Sequence, residues 1–539
     1  MDALSLIKDK EQEFSELYSR MDKDKDLIYN TNYEFVDYNG KKIPRSFSVT
    51  VPMAADFFKK VVSRLVTTSR QPIINCKDNN FNTGIIENFI LDSEIEVDSY
   101  LLNRGWEAAF PSNVNFACAR GICAEQHLWR IEEGELITDT RPLDTRWVTF
   151  EYGGKDLAWA NYTMLRNRSA IEDEYGITTS TKIGKVRDFW DTEKHIVFVD
   201  DTVVVDEVNQ YGYVPFCIST VNVGAGLRES DSLSHNAESI FWPHRDMYNE
   251  MNFIASVLKA QSYESIRPAL QMPNSNGGQG QTPQEYPGNG SITPVEQAVL
   301  PMPRADMINS LRGYQGMIES VIQKASMSPT EYGNVSFPMS AVALARLMAT
   351  TGDILAPRLQ ALGRLYQLRF DMIRRQCSEY GKIELGSEFN KREYNTKDLS
   401  GAYTVSFKYA TETLEELSSR AAIAQGVKGM ISDRTARRTI LMLPDPDGEE
   451  ARIEAEEARR TNPELAMFEQ AHSLLDEGTP EKEVEAKWLT NKVVSIAKNQ
   501  SFGNVSAPPV DKKPTPQQTL SIANSVEGEE NGKPSNIRL

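Results

Sequence analysis

The feature that most constrains this chain is a pair of long helical stretches separated by a polar excursion. Leu233, Ala237, Ile240, Met247, Met251, Ile254 and Leu258 recur at three, four and seven residues. That spacing marks one buried stripe on a helix, which the pattern predicts to start with Ser232 as its cap and to run to about Glu264. At the rise of an α-helix it would be about 45 Å long, more than one compact domain usually needs. From Arg267 to Pro303 the chain turns to Gly, Pro, Asn and Gln, flanked by strand-like runs at Pro268–Met272 and Ser291–Leu300. A second helix is predicted over Ala305–Ser326. Two helices joined in this way cannot both bury a full apolar stripe alone, so the pattern demands a partner, and copies stacked around a ring would provide one.

The 539 residues make room for three or four modules or one extended subunit. Upstream of the helix pair, Asp2 to about Lys25 reads as a charged helix, and Asn39-Gly40 as a turn between strand-like runs at Tyr33–Tyr38 and Lys41–Val51. Pro52 opens a helix that should stop near Gln71-Pro72. Phe81–Ala124 is largely helical with a break at Pro111. Six β-branched or aromatic runs follow between Leu128 and Val208, so residues 1–228 are expected to form one α+β module. Downstream, Ser328–Ser340 is a Pro- and Gly-containing loop, and a third long helix is expected over 340–379, kinked around Gly352 and Pro357. Lys382–Leu385 and Tyr403–Tyr409 look like strands. Thr413–Gln425, Asp433–Met442 and Gly448–Arg460 look like helices, and 501–539 has the composition of a disordered tail.

Composition excludes several function classes. A net charge of −17 argues against general nucleic-acid binding, which rests on cations that displace counterions from phosphate. A tunnel through which a duplex slides is different, since an acidic wall avoids a deep binding minimum. No run approaches the ~18 uncharged apolar residues of a membrane span, and Met1–Lys10 lacks the apolar core of a signal peptide. Cys76, Cys118, Cys123, Cys217 and Cys377 are odd in number and scattered, which fits reduced thiols.

The catalytic inventory is empty. Gly277-Gly278-Gln279-Gly280 lies in low-complexity sequence, whereas a phosphate loop sits between strand and helix. Cys118, Cys123 and His127 lack a second ligand pair at zinc spacing, and read as buried packing residues. His235 and His244, nine apart on the predicted helix, do not share a face. The paired carboxylates Glu132-Glu133, Asp200-Asp201 and Glu415-Glu416 read as solvated surface. No enzyme activity, metal or cofactor is expected from these residues.

The order of features in the middle of the chain resembles the portal proteins of tailed bacteriophages, of the siphophage type. Val214-Pro215-Phe216, a turn at Gly224–Leu227, Ser230, and a helix carrying His244-Arg245-Asp246-Met247-Tyr248-Asn249 are similar to the start of the portal stem, with Asp246 and Asn249 or Asn252 matching the family's aspartate and asparagine. Pro268–Pro273, Pro287-Gly288 and Ser291-Ile292 look like the strands and turn that follow. Ser328-Pro329-Thr330-Glu331-Tyr332-Gly333 with Ser340-Ala341-Val342-Ala343-Leu344, then Gly429–Ala436, Leu443-Pro444-Asp445-Pro446 and Glu449-Glu450, continue the order to about residue 460.

The resemblance implies an α+β portal-type subunit: a wing at 1–228 rejoined by 380–411, stem helices at 229–265 and 304–327, and a small β-containing clip at 266–303. A tunnel loop and kinked helix would occupy 328–379, and a helical crown 412–500. Such subunits form a ring, commonly of about twelve copies, at the portal vertex of the virion capsid after assembly in the host bacterial cytoplasm. The implied partners are double-stranded DNA passing through the channel, the terminase large subunit, the major capsid protein and the head-tail connector proteins, with no membrane. The tunnel loop would comprise Pro329, Thr330, Glu331, Tyr332, Gly333, Asn334, Phe337 and Pro338, and Arg312 and Lys324 would make transient phosphate contacts. The competing reading is an acidic helical enzyme or scaffold without a recognisable motif.

Overall fold

The computed structural model describes residues 2–37, 39–43, 46–76, 83–132, 135–223, 234–266, 270–273, 284–286, 290–295, 304–325, 341–387, 390–411, 421–441, 443, 446–461, 467, 471 and 486–494. The polypeptide divides into two compact units, Met1–Glu450 and Ala451–Leu539. In the second, the described core is a small cluster of Ala471, Ala486 and Leu489. The expected tail at 501–539 and the expected tunnel loop, Pro329, Thr330, Glu331, Tyr332, Gly333, Asn334, Phe337 and Pro338 included, lie outside the described residues.

The first unit is a mixture of helix and sheet, α+β. Helices α1 (Ala3–Glu13) and α2 (Ser15–Ile28) replace the single helix expected at 2–25, parted at Phe14. The expected hairpin after them is reduced to one bridge, Val36 with Lys42. Its turn is held by the Asp37 carboxylate, which accepts from the amides of Asn39 at 2.8 Å and Lys41 at 2.9 Å. Helix α3 (Met53–Val66) ends before the expected stop near Gln71-Pro72, and the chain continues directly as strand β1 (Thr68–Cys76). Pro72 is tolerated in it because, among the described residues, β1 pairs with β15 (Tyr403–Thr411) alone, so an edge remains where no amide is needed.

Helices α4 (Thr83–Asn103) and α5 (Ala109–Ala119) are separated at Gly105, whose φ is +74°. Pro111, expected to break the helix, lies instead in the first turn of α5, where a missing amide costs nothing. Strand β2 (Ile122–Glu132) is the centre of a three-stranded sheet, between β3 (Glu135–Leu143) and β9 (Phe216–Thr220). Strands β4 (Val148–Tyr152), β5 (Leu157–Asn167), β6 (Ile183–Asp191), β7 (Lys194–Val199) and β8 (Thr202–Val208) form an antiparallel meander, with α6 (Arg168–Tyr175) between β5 and β6. The outer face of this meander is sealed by α1, whose Ala3 and Ile7 pack on Trp159, Phe189 and Phe198.

The helix predicted from Ser232 is corrected. Helix α7 runs over Arg245–Ile266, 22 residues or about 33 Å, and residues 234–244 are turns and bends. Pro243 is the reason: it cannot donate to the turn before it, and it disfavours helical geometry in the preceding residue. Ala237 and Ile240 are buried as the stripe required, but in an irregular segment, with Ala237 at φ +60°. The same correction removes His235 and His244 from the helix.

That segment is clamped from α2. Arg20 donates to the carbonyls of Ser234 at 2.9 Å, Asn236 at 3.3 Å, Ala237 at 3.0 Å and Arg120 at 3.1 Å. Around it, Arg245 binds Asp24 at 2.6 Å and Glu238 at 2.5 Å, and Arg20 lies 3.3 Å from Glu238. Two arginines and two carboxylates thus neutralise one another out of water. Arg120 extends the set with a two-pronged bond to Asp144, 2.8 Å on each arm, and a 2.8 Å bond to the Met21 carbonyl.

Helix α8 (Arg304–Ala325) returns alongside α7 after strands β10 (Leu270–Pro273), β11 (Gln284–Tyr286) and β12 (Gly290–Val295), in which β12 lies between the other two. Helix α9 (Ala341–Cys377) spans 37 residues with Gly352 and Pro357 inside it. Beside the proline, the buried Arg358 guanidinium donates to the Ile354 carbonyl at 2.7 Å. The second half of α9 is fastened to the three-stranded sheet. Ser219 donates to the Ala361 carbonyl at 2.8 Å, and Arg369 meets the buried Glu125 carboxylate with both arms of its guanidinium. The carboxamide of Gln376 accepts from the Trp129 amide at 3.0 Å and donates to the His127 carbonyl at 2.8 Å. It occupies the side of β2 that β9, ending opposite Gln126, leaves open.

A hairpin of β13 (Lys382–Ser387) and β14 (Asn390–Asn395) packs on α4 before β15. Beyond it come a helical turn at 421–426, α10 (Asp433–Ala436), a π-helical turn at Arg437–Leu441 and α11 (Pro446–Thr461). The π-turn touches the first strand: Arg438 donates to the Ile74 carbonyl at 2.9 Å, and Gln71 to that of Leu443.

Two stability predictions follow from the clamp and the base of α7. Gly121 has φ +76°, and a Cβ there would lie 2.1 Å from the Ala237 carbonyl oxygen. Gly121→Ala should therefore cost about 3 kcal/mol or more, read as a fall of several degrees in Tm; an unchanged Tm would show that the 234–244 segment is free to move. His244 is wedged between Phe57 and Tyr248, with ring centroids at 5.3 and 5.1 Å. Burial, assisted by the Arg245 charge, lowers its pKa from 6.5 to about 4. Between those values the unfolded chain binds the extra proton, so stability falls as pH drops from 6.5 towards 4, by an amount on the order of 3 kcal/mol at most. Denaturant titrations of His244→Phe across this range should lose that part of the slope.

Candidate functional site

The paired helices α7 and α8 carry apolar surface that the rest of the first unit leaves exposed. On α7, Tyr248, Met251 and Ile254 are buried, with Met247 and Leu258 partly so. Ile318 and Ile322 of α8 belong to the same cluster, which includes Phe57 and Val61 of α3 and Leu355, Leu362 and Leu365 of α9. The pair is thereby seated on the body. Its opposite flank on α7 is covered by residues 46–51: Asn252 accepts from the Val51 amide at 2.8 Å, and the Ser256 hydroxyl from that of Val49 at 2.9 Å. Phe35 packs on Phe253 and Phe47 on Tyr263, at 5.5 and 5.0 Å. Asn252, one candidate for the asparagine of the stem motif, is thus a backbone anchor, while Asp246 and Asn249 are exposed beside it.

Helix α8 has a second apolar stripe. Tyr314, Met317 and Val321 stand at i, i+3 and i+7 and are 40%, 56% and 39% exposed. They adjoin the buried Ile318 and Ile322 round the helix, so one wide apolar arc is half covered and half open. The third face is polar and small: Asn309, Gly313, Gly316 and Ser320 are all exposed. Arg312, also exposed, lies on the edge of this polar face. Lys324 is twelve residues further on, which at 100° per residue places it about 120° away round the axis, between Gly313 and Met317. The two basic positions therefore flank the polar face, one at each margin.

The spacing of Tyr314, Met317 and Val321 is legible in the sequence, but that they stay open depends on how much of the apolar arc the body covers, which packing decides. Gly352 and Pro357 both lie within the continuous span of α9.

Elsewhere, chemistry is sparse. Cys118, Cys123, Cys217 and Cys377 are buried, and burial raises each thiol, Cys118 and Cys377 to about 12, which keeps them protonated. Cys118 belongs to α5 while Cys123 and His127 belong to β2. His127 is buried against Glu125 and Thr140, and burial lowers its pKa. Among the described residues no group of three His, Cys, Asp or Glu is placed to hold a metal, and no helix is long and apolar enough to cross a membrane.

A cleft of about 710 Å³ between the meander and the three-stranded sheet, lined among others by Trp106, Tyr162, Asp188, Trp190 and His195, is the nearest approach to an enzyme pocket. Its carboxylate is already committed. Asp188 accepts from His195 at 2.8 Å, Trp190 at 2.7 Å and Gln126 at 2.9 Å, while His195 stacks on Trp190 at 3.8 Å. That arrangement locks the cleft wall, and among the described residues no hydroxyl or thiol is hydrogen-bonded to His195 as a nucleophile would be. No family model matches this chain, and no curated protein is similar to it.

Proposed function

We propose that the chain is a subunit of the portal ring of a tailed bacteriophage, a non-enzymatic channel for double-stranded DNA during packaging into the capsid and ejection from it. The observation that carries this reading is the half-open apolar arc of α8. A helix that buries Ile318 and Ile322 on its own body and presents Tyr314, Met317 and Val321 beside them is built to be covered by another surface, and a second copy offers one in every subunit. The order of elements supports it as well: two 22-residue helices joined by a small three-stranded sheet, then a 37-residue helix containing a proline, match the stem, clip and tunnel-helix order that the sequence motifs suggested.

In this reading α7 and α8 are the stem, 266–303 the clip that meets the terminase large subunit and later the head-tail connector proteins, and 328–340 the tunnel loop. The α+β body with 380–411 is the wing that meets the major capsid protein at the vertex. If the apolar stripe is the contact between subunits, the small polar face of α8 with Arg312 at its edge is left for the lumen. A wall of Asn, Gly and Ser flanked by two cations, in a subunit carrying a net charge of −17, would let phosphates pass without holding them.

Sedimentation velocity tests the contact. The wild-type chain should sediment as a large assembly, while Met317→Glu with Val321→Glu should shift it to the single subunit without a fall in Tm, because these side chains are already in water in the isolated chain. An assembly that survives both substitutions would remove the stripe from the interface. In packaging assays Arg312→Ala and Lys324→Ala should each change the rate of DNA uptake, since the two residues flank the polar face; no effect of either would dissolve that assignment.

A further inference from the structure

Strand β8 is the free edge of the meander. Among the described residues it pairs with β7 alone, and no strand is bonded to its outer side. Its sequence is Thr202-Val203-Val204-Val205-Asp206-Glu207-Val208, and Val203 and Val208 are 52% and 78% exposed. The turn that delivers it is sharply set, with Asp200 and Asp201 both in the left-handed region. A β-branched, exposed edge is a template for another strand, and proteins usually cover or blunt such edges. Here the register against β7 shifts at Val204, and beyond that irregularity the edge from Val205 to Val208 is blunted by an adjacent pair of acids. Asp206 has a loose partner in Lys194 at 3.8 Å, and Glu207 has no ion pair among the described residues.

Strand β14 has the opposite chemistry. It is one half of a two-stranded sheet, so its outer edge is likewise unpaired among the described residues. It carries an adjacent basic pair, Lys391 and Arg392, both 49% exposed at the side chain. Their contacts within the chain are long, 3.8 Å to Glu96 and 3.7 Å to Asp92, the geometry of weak, water-screened ion pairs. β8 and β14 belong to different sheets and do not meet.

We infer that β8 of one subunit pairs antiparallel with β14 of the next, with Asp206 opposite Arg392 and Glu207 opposite Lys391. The two acids and the two bases are adjacent in each strand, so an antiparallel register satisfies both at once and places them on matching sides of the joined sheet. The contact is heterologous, one surface against a different one, which is the type that propagates around a ring. The inference rests on the ring reading, and adds to the stem a second contact that fixes which face of each subunit meets its neighbour.

The test uses the full-length chain with Cys76→Ser, because Cys118, Cys123, Cys217 and Cys377 are buried. Directly opposed residues of an antiparallel pair bring Cβ atoms to about 4.5–5.5 Å, close enough for a disulfide after small adjustment. Glu207→Cys combined with Lys391→Cys should give a ladder of covalent multimers on a non-reducing gel after mild oxidation, and an equal mixture of the two single variants should stop at dimers. In parallel, Asp206→Lys with Glu207→Lys should lower the assembled fraction at least tenfold, and adding Lys391→Glu with Arg392→Glu in the same chain should restore it. A wild-type chain that assembles into rings, with no ladder from the cysteine variant and no effect of the charge reversals, would overturn the strand pairing and leave the ring reading standing. A wild-type chain that stays a single subunit at every concentration would overturn both.

Discussion

The placement of the helix pair depends on one buried cation. Arg20, on α2, gathers carbonyls from two distant segments, the end of α5 and the irregular stretch before α7, and is balanced by Glu238 and Asp24. Burying a guanidinium is costly, and such an ion set is weak evidence of net stabilisation. Its effect is on specificity: removing any one member strands the others without water, at a cost of about 3–5 kcal/mol, so the exit of α7 from the body has a single solution. Gly121 completes the fit, since only a residue without a side chain lets the chain after α5 pass against Ala237.

A second set of polar contacts governs α9. The helix leaves the 326–340 region, runs past Pro357 and is then fixed at Ala361, Arg369 and Gln376 to β9 and β2. Burial pushes the Glu125 carboxyl upward, but Arg369 and His127 outweigh it and hold the group well below the ordinary carboxylate range. The Glu125–Arg369 pair is therefore charged throughout the physiological range. Because all three anchors lie beyond Pro357, the first half of α9 is tied to the sheet by none of them.

Much of this architecture was legible in the sequence where the signal is local. The spans of α8 and α9 follow from apolar periodicity, and β5, β6 and β7 from runs of β-branched and aromatic residues. What failed was governed by partners far along the chain. The helix expected from Pro52 overruns into β1, whose partner, β15, lies more than three hundred residues on. Of β2 only Leu128–Ile131 reads as a strand, and β3 does not, because the polar residues of this pair, Glu125 and His127 among them, are satisfied by α9 and by each other. The start of α7 was a different kind of error: a strong stripe of apolar residues outweighed Pro243, a local signal that should have won. For the site, the polar face bordered by Arg312 was within reach of helical geometry. The open stripe at Tyr314, Met317 and Val321 required knowing how much of the apolar arc the body covers, which only the packing reveals.

Assembly into a ring is the claim on which the functional account turns, and imaging of the purified full-length chain by electron microscopy, with its mass in solution measured alongside, tests it most directly. The account predicts particles of about a dozen subunits with rotational symmetry and a central hole wide enough for a duplex. A compact particle of one or two subunits at high concentration would contradict it, and would make the Asp188–His195 cleft the first place to look for an activity.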